Sequence, residues 1–276
     1  MNKYSDNDLK KISKKLRKKI LEISYKNKAH HIGSELSCID VLSVLFHNFI
    51  NLNTNDIFEK NSDIFILSKG HASLAYYALL VEKNFFSYET LTDNFLNNGG
   101  LFGGHPDYNI ANAVQVNSGS LGYGISLGSG FALVAKRQKL GRKVFVALGD
   151  GECNEGSIWE SVLFASHQNL NNLIIIVDQN KLQGLGKTHE VVNMQSLSEK
   201  FISFGWETYN IDGHNFTEID EVFLKVIENS NNAKPKVIIA STVKGKGVRS
   251  MEGELSSHYE TLTKERYEEI IRDLDN

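Results

Sequence analysis

An α/β fold, with a mostly parallel central sheet and helices on both faces, is predicted by two features of the sequence. Short apolar runs of strand length recur along the chain, and each is followed by a helical pattern or a glycine-rich loop. A strand covered on both faces reads as an unbroken apolar run, and strands that alternate with helices pair in parallel.

The elements follow in order. Leu9, Ile12, Leu16, Ile20 and Ile23 recur at helical spacing in the Lys-rich segment 1–24, which predicts an amphipathic first helix with a solvated basic face. The run DIFIL at 63–67 reads as a buried strand, and GHAS at 70–73 opens a helical pattern through position 81. VFVAL at 144–148 is a second strand leading into a helix at 157–169, while LIIIV at 173–177 is a third that runs into a loop. Segments 206–211 and 236–242 supply two more strands, with a helix at 216–229 between them, and a charged tail helix occupies 264–274. There is no repeat, low-complexity tract or linker, and the only prolines are Pro106 and Pro235, so 1–276 is expected to form one domain.

Composition narrows the function classes. A chain of 276 residues that is 41% hydrophobic can bury a substantial core. Its formal charge of -3 is spread along the chain, so no global field marks a nucleic-acid binder. The apolar runs fall far short of the roughly 18 residues of a membrane span, and the first segment has no continuous signal-peptide core. Cys38 and Cys153 lack metal-type spacing, which fits a reducing cytoplasm, with Cys38 in the core.

Ligands of parallel α/β sheets collect at the carboxyl ends of the strands. There, directly after 144–148, stands GDGECNEG at 149–156, with Gly149 and Gly151 baring the backbone on both sides of Asp150. Gly-Asp-Gly is also a common turn, so the motif alone leaves both readings open. The strand at 173–177, however, ends in Asp178-Gln179-Asn180-Lys181-Leu182, which puts Asn180 at the matching edge of the neighbouring strand. A carboxylate, an amide oxygen and a loop carbonyl suit a hard cation such as Mg²⁺ or Ca²⁺, and a diphosphate would complete its shell.

Two phosphate-loop lookalikes fail on spacing. Gly186-Lys187-Thr188 has the end of a P-loop, but Lys181 occupies the position of its first glycine. Gly122-Tyr123-Gly124 with Gly128 is one residue too long for a dinucleotide loop, and no acidic residue lies between Gly119 and Gly149 to hold a ribose.

The pair Gly-Asp-Gly and Asn, thirty positions apart with strand, helix and strand between them, resembles the metal-diphosphate signature of thiamine diphosphate enzymes. From first helix to last, the chain is similar to the N-terminal, diphosphate-binding half of transketolase. The resemblance implies a thiamine diphosphate-binding fold. Asp150, Asn180 and the carbonyl of Leu182 match its metal ligands, Gly151 and Glu152 lie in the diphosphate motif, and Glu155 matches an acidic residue that faces the other subunit. His31 in HHIGSELS, His71 in SKGHAS and His105 in GGHPD match histidines lining the cofactor and substrate channel, with His71 also beside the cofactor. His258 in SSHYE falls near a fourth, although the family pattern reads His-Gly where this chain has His258-Tyr259. Gly119 and Leu121 in NSGSLGYG match a loop packed against the cofactor rings. His30, His47, His167, His189 and His214 are expected to be structural or surface residues.

The chemistry agrees with the resemblance, because two-carbon ketol transfer needs protons moved at sugar hydroxyls and a donor for a developing alkoxide, both within the reach of imidazole. The resemblance further implies sugar or sugar-phosphate substrates and a separate C-terminal, pyrimidine-binding subunit, assembled as a homodimer or a dimer of heterodimers. The alternatives are the α-subunit of a 2-oxoacid dehydrogenase and a noncatalytic regulatory half.

Overall fold

The computed structural model describes residues 3–108, 110–228 and 233–275. Its helices are α1 (Asp6–Asn27), α2 (Ile32–Val44), α3 (Ser73–Glu82), α4 (Tyr88–Asn94), α5 (Gly124–Arg137), α6 (Gly156–His167), α7 (Thr188–Val191), α8 (Leu197–Ser203), α9 (Phe216–Glu228) and α10 (Lys264–Asp275). Its strands are β1 (Ile64–Leu67), β2 (Val144–Gly149), β3 (Leu173–Gln179), β4 (Leu182–Gln183), β5 (Gly186–Lys187), β6 (Glu207–Asp212) and β7 (Lys236–Ser241). The last position expected for α9, Asn229, and the expected start of the first helix, Met1, lie outside the described residues.

Five strands form one sheet in the order β1-β2-β3-β7-β6, with every neighbouring pair parallel. Strand periodicity explains how it is covered. Phe65, Leu67, Phe145, Ala147, Ile174, Ile176, Ile238 and Ala240 point to one face and pack with α1, α2, α3 and α9. The alternate residues Ile64, Ile66, Val144, Val146, Leu148, Ile175, Val177, Val237 and Ile239 point to the other and pack with α5, α6 and α8. Each fully buried aliphatic side chain contributes about 1.5–3 kcal/mol, so the two cores hold the strands in register.

Five helices, α2, α4, α5, α7 and α8, have no counterpart in the sequence reading, and for the two longest the reason is physical. Every residue of α2 is buried, so it has no polar face and therefore no amphipathic period. Helix α5 begins inside the glycine-rich segment that reads as a loop. The loop expected after the third strand contains the antiparallel β4–β5 hairpin, with Leu182 opposite Lys187. Helix α1 starts as expected of a capped helix, with Ser5 accepting from the Asp8 amide at 3.3 Å and the Asp8 carboxylate accepting in turn from the Ser5 amide.

Close packing of α5 on β2 yields a paired test. A Cβ on Gly128 would lie 2.6 Å from Val146 Cγ2, whereas one on Gly130 meets nothing within 4 Å. Gly128→Ala is expected to destabilise by about 1–3 kcal/mol through overpacking. Gly130→Ala should stabilise by about 0.5–1 kcal/mol. Urea unfolding of both variants checks the opposite signs.

Candidate active site

Register puts the strand ends side by side. Gly149 pairs with Asp178, and Gln179 with Ser241, so the segments after β1, β2, β3 and β7 emerge along one edge of the sheet. A cleft of about 380 Å³ opens there. Asp150, Asn180 and Leu182 line it together, along with Gly119, Leu121, Gly151, Glu152, Glu155 and all four of His31, His71, His105 and His258. Every site residue expected from the sequence therefore meets in one cavity.

Below the cleft, the Asp178 carboxylate is buried and accepts from Lys69 Nζ, from Ser37 Oγ at 2.5 Å, from Thr242 Oγ1 and from Asn180 Nδ2 at 3.3 Å. Burial raises the pKa of this carboxyl, but Lys69 and the hydroxyl donors overcome that and leave it below its ordinary value. Burial likewise opposes the charge of Lys69, and Asp178 reverses the effect and raises its pKa. Both shifts describe one charged pair. With its nitrogen turned to Asp178, Asn180 directs Oδ1 the other way, where it accepts from the Leu182 amide at 3.1 Å.

Asp150 accepts from the Gly151 amide at 2.9 Å through Oδ1, and from the Lys181 amide at 2.7 Å and Thr188 Oγ1 at 3.1 Å through Oδ2. Burial and the nearby Asp178 carboxylate push its pKa up to about 6. A cation would relieve that penalty, which is the electrostatic mark of a metal or polar-ligand site. Among the described residues no group of three His, Cys, Asp or Glu side chains could hold a metal ion, so a cation here depends on a mixed set of carboxylate, amide and carbonyl oxygens. Glu152 is at the wall, but its carboxylate is taken up by Ser68 Oγ, the Gly122 amide at 2.8 Å and the Gly149 amide at 3.0 Å. It ties the end of β1, the glycine loop and the end of β2 together.

The histidines form a cluster centred on His31. Its ring lies 4.8 Å from that of His258, 5.5 Å from His71 and 6.3 Å from His105. His31 caps α2 in the left-handed region, at φ 68°, a conformation that costs about 1–3 kcal/mol. Its amide donates to the His258 carbonyl at 3.1 Å, which joins the start of α2 to the segment before α10. Gly119 sits at φ +132°, and a Cβ there would lie 2.9 Å from His105 Cδ2, so only glycine lets the loop approach that ring. The Tyr259 side chain, which stands where the family pattern has glycine, turns away to donate to the Gly184 carbonyl at 3.0 Å. His258 thus reaches the cleft beside it.

Burial, followed by the cationic and imidazole neighbours, lowers the pKa of His31 to about 4 and of His258 to about 3, and drives that of His71 well below its ordinary value. These rings are neutral at physiological pH, each with one N–H and one lone pair. Lys244 is part of the cause. Burial and then Lys69 bring its ammonium down to about 8, and it donates to Ser34 Oγ and His258 Nδ1, both at 3.1 Å.

Sequence reasoning missed Ser34, Lys69, Asp178, Gln183 and Lys244, four of which line the cleft above buried Asp178. A signal existed for the lysines. Lys69 follows β1 and Lys244 follows β7, the same placement that singles out Asp150 and Asn180. Gln183 has a buried Nε2 without a partner, a free donor at the wall.

Bare backbone, two lysines and clustered oxygen atoms at the carboxyl edge of a doubly covered parallel sheet mark an α/β domain of the kind that binds phosphorylated ligands. Similarity to known proteins specifies which. Residues 9–274 match the family model described as "Transketolase, thiamine diphosphate binding domain", and the chain belongs to that family. It is 39% identical to one of the apulose-4-phosphate transketolase subunits, that of Phocaeicola vulgatus, over 95% of this chain and 92% of that protein. It is 35% identical to the 6-deoxy-6-sulfo-D-fructose transketolase subunit SqwG of a Clostridium species over 97% and 96%. The crystal structure of transketolase from Campylobacter jejuni superposes with a TM-score of 0.90 at 28% identity, covering 99% of this chain and 43% of that one. The predicted thiamine diphosphate-binding fold is borne out, and the chain is a transketolase N-terminal subunit. These matches favour transketolase over the 2-oxoacid dehydrogenase alternative.

The histidine electrostatics carry a pH test. Lowered folded-state pKa values mean that the unfolded chain binds more protons below about pH 6.5, so stability is lost as pH falls from there towards 4. Histidine ring resonances assigned with His31→Asn and His258→Asn are expected to keep their neutral positions from pH 8 down to 5. Ordinary titration near 6.5 would contradict the burial argument.

Proposed function

We propose that this chain holds the diphosphate end of thiamine diphosphate through a divalent cation, and transfers two-carbon ketol units together with a separate pyrimidine-binding subunit. The observation that carries this reading is the convergence of Asp150, Asn180 and Leu182 at the ends of adjacent strands in one cleft. Mg²⁺, or Ca²⁺, would be held by the Asp150 carboxylate, Asn180 Oδ1 and the Leu182 carbonyl, a mixed oxygen set suited to a hard ion. The elevated Asp150 carboxyl supports a cation, and the orphaned Gln183 Nε2 supports an anionic oxygen nearby. Gly151 would lie against the diphosphate, Lys244 would supply positive charge, and Gly119, Leu121, Glu152 and His71 would form the cofactor wall.

When bound, thiamine diphosphate supplies the carbanion-stabilising ylid that ketol transfer requires. The chain's own part is to orient and to move protons. His31, His71, His105 and His258 face the open space of the cleft. The neutral rings of His31 and His71 can take a proton from a sugar hydroxyl through a lone pair or donate one to a developing alkoxide, whereas His258, whose Nδ1 accepts from Lys244, has its Nε2 proton to donate.

An assembly fits the exposed surface. Glu155 is exposed where it lines the cleft, and a Cβ on Gly122 would touch it at 2.8 Å. Next to that glycine, Tyr123, Leu127 and Val134 on and before α5 are exposed, as are Leu163 and Phe164 on the neighbouring α6. An apolar patch of this kind suits a protein interface. The names of the relatives, which specify a ketose phosphate and a sulfonated ketose, support an anionic ketose donor with an aldose acceptor, in a homodimer or dimer of heterodimers. Cys38 and Cys153, free and buried, fit a reducing cytoplasm. No helix among the described residues is long and apolar enough to cross a membrane.

Calorimetry tests the site. Asp150→Ala and Asn180→Ala are expected to lower Mg²⁺-dependent thiamine diphosphate affinity about tenfold to a hundredfold, the scale of one lost charge-assisted contact. Wild-type affinity in both would remove the proposed clamp. With the partner subunit present, ketose phosphates should turn over and pyruvate should not. Full ketol transfer by the purified chain alone would overturn the two-chain reading.

A further inference from the structure

His214, expected to be structural or surface, has both ring nitrogens engaged. Nε2 lies 2.9 Å from the Val243 amide, which can only donate, so that nitrogen carries the lone pair. The proton therefore sits on Nδ1, 2.8 Å from Asp40 Oδ2. Asp40 is buried and also takes a bidentate pair from Arg17, at 2.8 and 2.7 Å. Burial would raise its pKa, but His214 and Arg17 hold it below the ordinary value. The third nitrogen of the guanidinium, Nε, donates to the Lys246 carbonyl at 2.8 Å.

One Arg17–Asp40–His214 triad, buried at Arg17 and Asp40 and partly buried at His214, thus grips the backbone on both sides of Lys244, at Val243 and at Lys246. The segment needs restraint. Gly245 and Gly247 stand at φ +79° and +90°, and a Cβ on Gly247 would lie 2.8 Å from Arg17 Cδ, so the loop rests directly on the triad. Lys244 itself is 1% exposed, between Ser34 Oγ and His258 Nδ1.

We infer that His214 is a positioning residue, which through the Val243 amide and with Asp40 and Arg17 behind it sets Lys244 against the diphosphate. The inference rests on the proposed contact of Lys244 with the cofactor. It assigns to an imidazole outside the cleft an effect on cofactor affinity beyond its effect on folding.

The two ring nitrogens can be separated by substitution. His214→Asn leaves an amide donor near the Nδ1 position for Asp40 but no acceptor for Val243, whereas His214→Gln puts an amide oxygen near the Nε2 position. In the full chain with Mg²⁺ and its partner subunit, His214→Asn is expected to weaken thiamine diphosphate binding about tenfold, the scale of one hydrogen bond. Its urea midpoint should move little, its Val243 amide should exchange faster, and His214→Gln should restore most of the affinity. In a Lys244→Met background, His214→Asn should cost no further affinity. Equal losses in both His214 variants, or an undiminished His214→Asn effect without Lys244, would make the residue merely structural and overturn the inference. Unchanged Val243 exchange in His214→Asn removes the clamp itself, while unchanged affinity in Lys244→Met removes the reading of Lys244 on which the inference rests.

Discussion

The buried carboxylate of Asp178 is the point on which the candidate site depends. Its partners come from separate parts of the chain: Lys69 after β1, Ser37 on α2, Thr242 after β7 and Asn180 two positions further along the chain. The Asp178 carbonyl also receives the Asp150 amide, at 3.2 Å. Four segments of the cleft are thereby bonded to one residue. A carboxylate this deep is tolerable only because it is paired and multiply hydrogen-bonded, and removing one partner of such a pair costs about 3–5 kcal/mol. The same bonds give the amide of Asn180 a direction, so the fold and the orientation of Asn180 Oδ1 share one cause.

Charge is distributed accordingly. Asp178 and Lys69 neutralise each other at the base of the cleft, leaving Asp150 and Lys244, along with Glu152, as groups at the wall whose burial is incompletely compensated. The pKa values of the first two move in opposite directions, that of Asp150 up to about 6 and that of Lys244 down to about 8. A carboxylate and an ammonium, each with unmet charge, thus share one cavity.

How much of this is legible in the sequence depends on the kind of signal. Asp150 and Asn180 can be found because parallel strands are apolar runs whose ends are plainly marked, and the residues after those ends face ligands. The histidines emerge through family resemblance, since His31, His71 and His258 come from three separate loops and only tertiary structure brings their rings together. Helix α2 is invisible because burial on all sides erases periodicity, and α5 because its glycines, of which Gly128 packs closely on β2, imitate a loop. Lys69 and Lys244 escape for a different reason. Buried lysines are rare, and apart from their places after β1 and β7 nothing local distinguishes them from the many solvated ones of α1. Asp178 reads only as a residue at the end of its strand, because its role consists entirely of distant partners.

The histidine cluster shows why those distant partners matter for chemistry. A cationic imidazole has only protons to give, whereas a neutral one can both give and receive. Burial alone lowers a histidine's pKa, yet His258 is only partly buried, and Lys244 beside Nδ1 is the next largest cause of its low value. Holding that lysine in place therefore also holds the ring neutral, with Nδ1 accepting and Nε2 left to carry the proton. The His31 amide on the His258 carbonyl ties the second ring to the same arrangement. The neutral state of these rings is thus set in part through Lys244, by the bonds that fix the loop after β7.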